Sequence, residues 1–253
     1  MTGLEMAGVL LAGIAAGTLN VVVGSGTLIT FPTLLAFGVP PVTANVSNTI
    51  GLVPGSFSGA IGYRRELAGQ GSRLLRLGGA SVLGGIVGAL LLLGLPEEAF
   101  DTIVPVLIAI GCVLVLLQPV ISRRMAASAH AREDKPAGSV WVWGLVLVSG
   151  VYGGYFGAAQ GVLLMAILGI GIQDSLQRLN GTKNVLAGLV NGVAALVFIV
   201  VAEVDWGVVG LIAVGSVIGG QLGAVFGRRL PPLALRLFIV VVGVSALITF
   251  LFT

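Results

Sequence analysis

Six stretches of the chain stay apolar long enough to cross a bilayer as helices: about 43–62, 75–94, 101–121, 184–201, 207–226 and 233–252. A hydrocarbon core of roughly 30 Å takes about 20 helical residues. Two further stretches, about 5–37 and 139–170, behave differently. Each opens with a long apolar run, breaks at a glycine-rich point and continues for about a dozen residues. The breaks are Gly24-Ser25-Gly26 and Gly157-Ala158-Ala159-Gln160-Gly161. A helix of about 12 residues rises only about 18 Å, so the pattern predicts re-entrant or broken helices. A membrane tolerates these only where the freed backbone faces protein or a wet cavity.

Composition agrees with a membrane chain. Of 253 residues, 57% are apolar and 9% charged, against about 25% charged in soluble domains. Mean hydropathy is +1.10. The 40 glycines suit helices packed backbone to backbone. A single cysteine, Cys112, excludes an internal disulfide and a cysteine-based metal site. Met1 to Glu5 carries no basic residue, so the first apolar run does not read as a signal peptide.

The charges set a direction. Arg64, Arg65, Arg73 and Arg76 share one loop, Arg123, Arg124, Arg132 and Lys135 a second, and Arg228, Arg229 and Arg236 a third. Glu97, Glu98 and Asp101, then Glu203 and Asp205, form turns without a basic residue. With the basic loops in the cytoplasm the six crossings alternate without conflict. Arg178 and Lys183 also fall there, completing the 13 basic residues. Both termini are then expected outside and the 122–138 linker inside, in a multi-pass membrane protein.

That topology divides the chain into 1–121, a cytoplasmic linker 122–138, and 139–253. Each half holds a broken-helix hairpin and three crossings, and an odd number of crossings inverts the second half. The residues carry the same symmetry. Gly84-Gly85-x-x-Gly88-Ala89 ends at Leu95-Pro96, and Gly219-Gly220-x-x-Gly223-Ala224 ends at Leu230-Pro231, an offset of 135. At offset 133, Ser47, Thr49, Gly55, Ser58 and Gly59 meet Asn180, Thr182, Gly188, Asn191 and Gly192. The expected fold is therefore an all-α integral membrane protein of two inverted-topology repeats, a common plan for secondary transporters. A duplicated structural protein shares that symmetry. The Gly215, Gly219, Gly223, Gly227 series reads as a face for close helix packing.

Catalytic chemistry is nearly absent. The lone histidine, His130, sits in the charged linker, and no HExxH, cysteine cluster, P-loop or dinucleotide fingerprint occurs. The ten acidic residues lie in loops or near helix ends, which argues against an intramembrane hydrolase, a carboxylate proton relay or a carboxylate cation site. What the apolar interior does hold is small and polar. The candidate substrate-binding residues are Ser25, Gly26, Thr27, Asn48 and Thr49 in the first half. In the second they are Gln160, Gly161, Asn180, Thr182, Lys183 and Asn184. Helices restart after both breaks and, on this reading, again near Asn45 and Asn180. A restarting helix presents free N–H groups that favour an anion, so four such termini are expected to converge. Each terminus contributes only about 0.3–2 kcal/mol. Lys183 either snorkels to the cytoplasm or serves as the substrate's counter-charge; the residues leave both open.

Gly24-Ser25-Gly26-Thr27-Leu28, Phe31-Pro32 and Gly38-Val39-Pro40-Pro41-x-x-Ala44 resemble the first-repeat signature of the TauE/SafE sulfite-exporter family. Asn180-Gly181-Thr182-Lys183-Asn184-Val185-Leu186-Ala187 and Asn191-Gly192 resemble its second repeat, and the likeness runs over about 5–250. The resemblance implies a bacterial-type plasma-membrane carrier for sulfite, sulfonates or related organosulfur anions. Ala159-Gln160-Gly161 stands where a fuller glycine run is common, Ile167 replaces a proline, and Lys183 stands where a small residue is frequent. Those departures bear on the substrate rather than on the fold. The expected partners are a small anion, the lipid bilayer and a coupling ion, H+ or Na+, with no cofactor, metal or nucleic acid. An anion channel and a non-transporting membrane scaffold remain the alternatives to a carrier.

Overall fold

The computed structural model describes residues 1–130, 140–227 and 232–252. These residues form helices throughout: α1 (Gly3–Val22), α2 (Thr27–Ala36), α3 (Pro41–Gly62), α4 (Gly71–Gly94), α5 (Glu97–His130), α6 (Val140–Tyr155), α7 (Gln160–Gly171), α8 (Leu176–Val201), α9 (Trp206–Phe226) and α10 (Pro232–Phe252). No strand occurs among the described residues. Among them α1, α4, α5, α8 and α9 are each long and apolar enough to cross a membrane. Leu83, Val87, Val106, Ile110, Val214 and Ile218 stand exposed on α4, α5 and α9. An apolar girdle of this kind marks a lipid-facing surface rather than a water-facing one. The last residues of the charged linker, 131–138, and the Arg228, Arg229, Leu230, Pro231 stretch lie outside the described residues.

Local chemistry explains where the helices start. The Thr2 side chain caps α1 while Glu5 reaches back to the Thr2 amide at 2.7 Å, a capping box. Pro41 opens α3, where its missing N–H costs nothing and its fixed φ suits a first turn. Ser175 caps α8 and Asp205 caps α9. These caps correct one expectation. Helices α3 and α8 begin at Pro41 and Leu176, one turn before Asn45 and Asn180. The polar residues 45–49 and 180–184 therefore lie inside helices. Of the four expected interior N-termini, only those of α2 and α7 remain.

Glycines set the packing. Helix α1 lies along α9, where a Cβ on Gly219 would strike the Ile14 carbonyl and one on Gly215 the Leu10 carbonyl. Helix α6 lies along α4, where a Cβ on Gly84 or Gly88 would strike the Leu147 or Val151 carbonyl. The larger remaining contacts follow the same pairing: α3 on α9 with α8 on α4, α5 on α7 with α10 on α2, and α3 on α8 and α5 on α10.

The bundle has a basic and an acidic end. At the basic end Arg73 bonds Asp174 at 2.6 Å, and Arg178 holds the same carboxylate at 2.9 Å. Partial burial would raise the Asp174 pKa, but the hydrogen bonds from Arg73, the Ser175 amide and Arg178 hold it below the ordinary carboxylate range. This cluster ties the start of α4 to the turn before α8. At the acidic end Phe31, Phe100 and Phe156 meet edge to face, with ring centroids 5.0 to 6.4 Å apart.

Candidate functional site

The two helix breaks meet. After α1 the chain turns at Gly24, whose φ of +92° only glycine adopts freely. The Asn20 side chain accepts the Gly26 amide at 2.7 Å and so fixes the start of α2. After α6 the chain turns the same way at Gly157, φ +73°, and the Ala159 amide donates to the Tyr152 hydroxyl at 3.3 Å. The Gly161 amide then donates to the Gly24 carbonyl at 3.0 Å. A Cβ on either glycine would overlap the backbone of the other, so the crossing demands glycine at both positions.

Lys183 closes the end of α1. It is fully buried, and its Nζ donates to the Asn20 carbonyl at 2.9 Å and the Val21 carbonyl at 3.0 Å. Those are last-turn carbonyls without a partner inside their own helix. Asn180 Nδ2 adds a bond to the Val21 carbonyl at 3.1 Å and another to the Tyr63 hydroxyl at 2.9 Å. Asn45 does the corresponding work for α6, donating to the Tyr155 carbonyl at 2.9 Å. The snorkelling reading of Lys183 is thereby overturned. The side chain reaches the bundle interior, because two carbonyls there offer acceptors and the apolar stem packs without exposure.

Between the breaks lies a cavity of about 20 Å³, lined by Asn20, Gly24, Gln160, Gly161, Lys183 and Asn184 among others. It has room for about one water. Gln160 Nε2 and Asn184 Nδ2 are buried on its wall without a hydrogen-bond partner. A buried donor left unpaired costs about 1–3 kcal/mol. The ammonium of Lys183 has three donors and uses two. Three donor nitrogens are thus available around one small space, and among the described residues no carboxylate lines it. That donor set suits an anion in its chemistry, while the space as it stands holds about one water.

The sulfite exporter TauE/SafE profile matches residues 9–250. The chain belongs to the TauE/SafE family. It is 26% identical to the "probable membrane transporter protein ORF9" of Sinorhizobium sp, over 95% of this chain and 90% of that one. It is also 26% identical to the "probable membrane transporter protein YfcA" of Escherichia coli K12, over 83% and 76%. A third relative, the "probable membrane transporter protein YdhB" of Bacillus subtilis, is 26% identical over 90% and 89%. No solved structure matches the chain. The protein is accordingly a multi-pass member of a membrane transporter family.

In this TauE/SafE protein the other residues singled out from the sequence take separate places around the two breaks and on α3 and α8. Ser25 is fully buried beside the first break, its hydroxyl unpartnered. The Gly26 amide is already taken by Asn20. Thr27 and Asn48 form a clasp between α2 and α3: Asn48 Nδ2 donates to the Thr27 hydroxyl at 3.3 Å, and the Thr30 hydroxyl donates to Asn48 Oδ1. Thr49 is buried on α3. Thr182 faces away from the cavity, its hydroxyl 2.9 Å from Gln70 Oε1. Asn180 lines a second space of about 210 Å³ that opens toward the basic end, with Val22, Tyr63, Gln118 and Gln177. Tyr63, Ser56 and Gln70 escaped the sequence reading. Tyr63 sits beside Arg64 and Arg65 like any interfacial tyrosine, and nothing local marks Asn180, 117 positions on, as its partner.

Proposed function

We propose that this TauE/SafE chain is a secondary transporter that moves a small anion across the plasma membrane by alternating access. Sulfite, a sulfonate or a related organosulfur anion is the cargo, in line with the family's description. The observation that carries the reading is the set of available donors on Lys183, Gln160 and Asn184 around the cavity where the two breaks meet. Gly24 and Gly161 shape that cavity, and Asn20 positions the Lys183 ammonium.

The reading includes two inverted-topology repeats, 1–121 and 139–253, joined through 122–138. Support comes from the sequence offsets and from the paired helix contacts, α1 on α9 with α6 on α4. The basic end faces the cytoplasm, so the space of about 210 Å³ beside Asn180 and Tyr63 is the cytoplasmic vestibule. The Phe31, Phe100 and Phe156 cluster closes the outer side. Both termini then lie outside. In a Cys112→Ala background, Glu98→Cys is expected to react with an impermeant thiol reagent added to intact cells, and Arg65→Cys only after permeabilisation. The opposite pattern would reverse the orientation.

The transport reading is tested by uptake of radiolabelled sulfite and simple sulfonates into proteoliposomes, with H+ and Na+ gradients imposed one at a time. Saturable uptake driven by one gradient is the expected result. Gln160→Leu and Asn184→Leu each remove one hydrogen bond to a charged ligand, worth about 1.5–3 kcal/mol, and should weaken apparent affinity by about tenfold or more. Thr182→Val, outside the cavity, should leave affinity within about threefold of wild type. Gradient-independent, non-saturating flux would make the protein a channel, and no flux of any sulfur anion would end the carrier reading.

A further inference from the structure

Resting on the anion-carrier reading above, we propose that the central site selects its cargo by valence, taking a monovalent oxyanion and rejecting a dianion. Among the described residues, Lys183 is the only charged or titratable side chain on the cavity wall. Every other element around the cavity presents a neutral group. From α1 come Asn20 and Val21, from α3 Ser56, and from the breaks Gly24 and Gly157; α7 adds Gln160 and Gly161, and α8 adds Asn184 and Ala187. The nearby guanidiniums of Arg73 and Arg178 are engaged by Asp174 at the basic end, and Arg178 also donates to the Ala68 carbonyl at 3.3 Å.

Helix dipoles do not change that count. At each break one helix ends where the next begins, α1 before α2 and α6 before α7. A partial negative charge of about half a unit from each C-terminus stands beside a partial positive charge of about the same size from each N-terminus. The pairs offset one another, so the site carries at most a single positive charge, that of the Lys183 ammonium. A monoanion brings the buried site to neutrality. A dianion leaves one charge uncompensated in a water-poor interior, and an unpaired buried charge is strongly disfavoured. For sulfite, whose two ionised forms interconvert near neutral pH, the form bound is hydrogensulfite.

The purified full-length chain in proteoliposomes tests this with two anions of fixed valence at matched ionic strength: methanesulfonate, always a monoanion, and sulfate, a dianion throughout the neutral range. Both compete against uptake of radiolabelled sulfite. Methanesulfonate is expected to compete at least about tenfold more strongly than sulfate. Raising the pH from about 6 to 8 should weaken unlabelled sulfite as a competitor more than methanesulfonate, because only the former also loses its monovalent form. Sulfate competing as well as methanesulfonate, with labelled sulfite still transported, would overturn the valence rule and leave the carrier reading standing. Labelled sulfite that fails to enter at any pH would overturn both.

Discussion

Replacing Lys183 by methionine is expected to lower anion uptake by at least about a hundredfold while leaving a folded, membrane-inserted protein. The methionine stem fills nearly the same volume, so the buried site does not collapse. Two separate losses follow. The Asn20 carbonyl loses its Lys183 partner, whereas the Val21 carbonyl keeps Asn180. One buried acceptor without a partner costs about 1–3 kcal/mol of stability, enough to lower a melting temperature but not to unfold a large helical bundle. The larger effect falls on the cargo, which loses its only buried counter-charge together with a charge-assisted hydrogen bond. Lys183→Arg keeps the charge but presents a planar fork where two converging carbonyls fit a compact ammonium, so uptake should fall less steeply. Melting curves and uptake measured on the same preparations separate the two effects. Near-normal uptake by Lys183→Met would reduce Lys183 to a helix cap and sink the proposed site.

The second large effect belongs to the seam between α1 and α9. Gly219→Val is expected to abolish accumulation of folded protein. Its Cβ would strike the Ile14 carbonyl and crowd the Thr18 amide, both backbone atoms that no side-chain rotation can move aside. The Thr18 hydroxyl lies 3.1 Å from the Gly219 carbonyl and ties the same seam. Overpacking costs about 1–3 kcal/mol in a core that can adjust; here the two helices must separate along their length. Gly210→Ala on the same helix is the control, because a Cβ there meets nothing within 4 Å. It should express at the wild-type level, since alanine favours the helix over glycine by up to about 1 kcal/mol. Monodisperse elution of detergent-solubilised protein distinguishes the outcomes. Equal yields from the two variants would show that the α1–α9 contact does not hold the bundle together.

These two positions differ in how far the sequence reveals them. Gly219 announces its role through the four-residue glycine spacing, because helix geometry places residues four apart on one face. Lys183 is visible as a cation in an apolar run, but its partners are 162 and 163 positions away. Neighbouring residues on a helix point about 100° apart, so Thr182 bonds Gln70 while Lys183 turns to the cavity. The sequence placed both among the candidates and could not separate them.

What the sequence determined by itself was everything set by short-range chemistry. Apolar runs set the helices, the Gly24 and Gly157 turns set the breaks, and small residues at regular spacing set the packing faces. The residues also carry the family resemblance. The tertiary structure decided the rest: that Gly24 and Gly161 touch, that Lys183 and Asn180 close α1 from the other half, and that Gln160 and Asn184 turn unpaired donors toward one cavity. It also moved the starts of α3 and α8 one turn earlier and left only two helix N-termini in the interior. The physical reason is the same throughout. A residue's own chemistry and its near neighbours fix whether it is helical, but which carbonyl or amide it faces depends on how helices far apart in sequence are rotated and brought together.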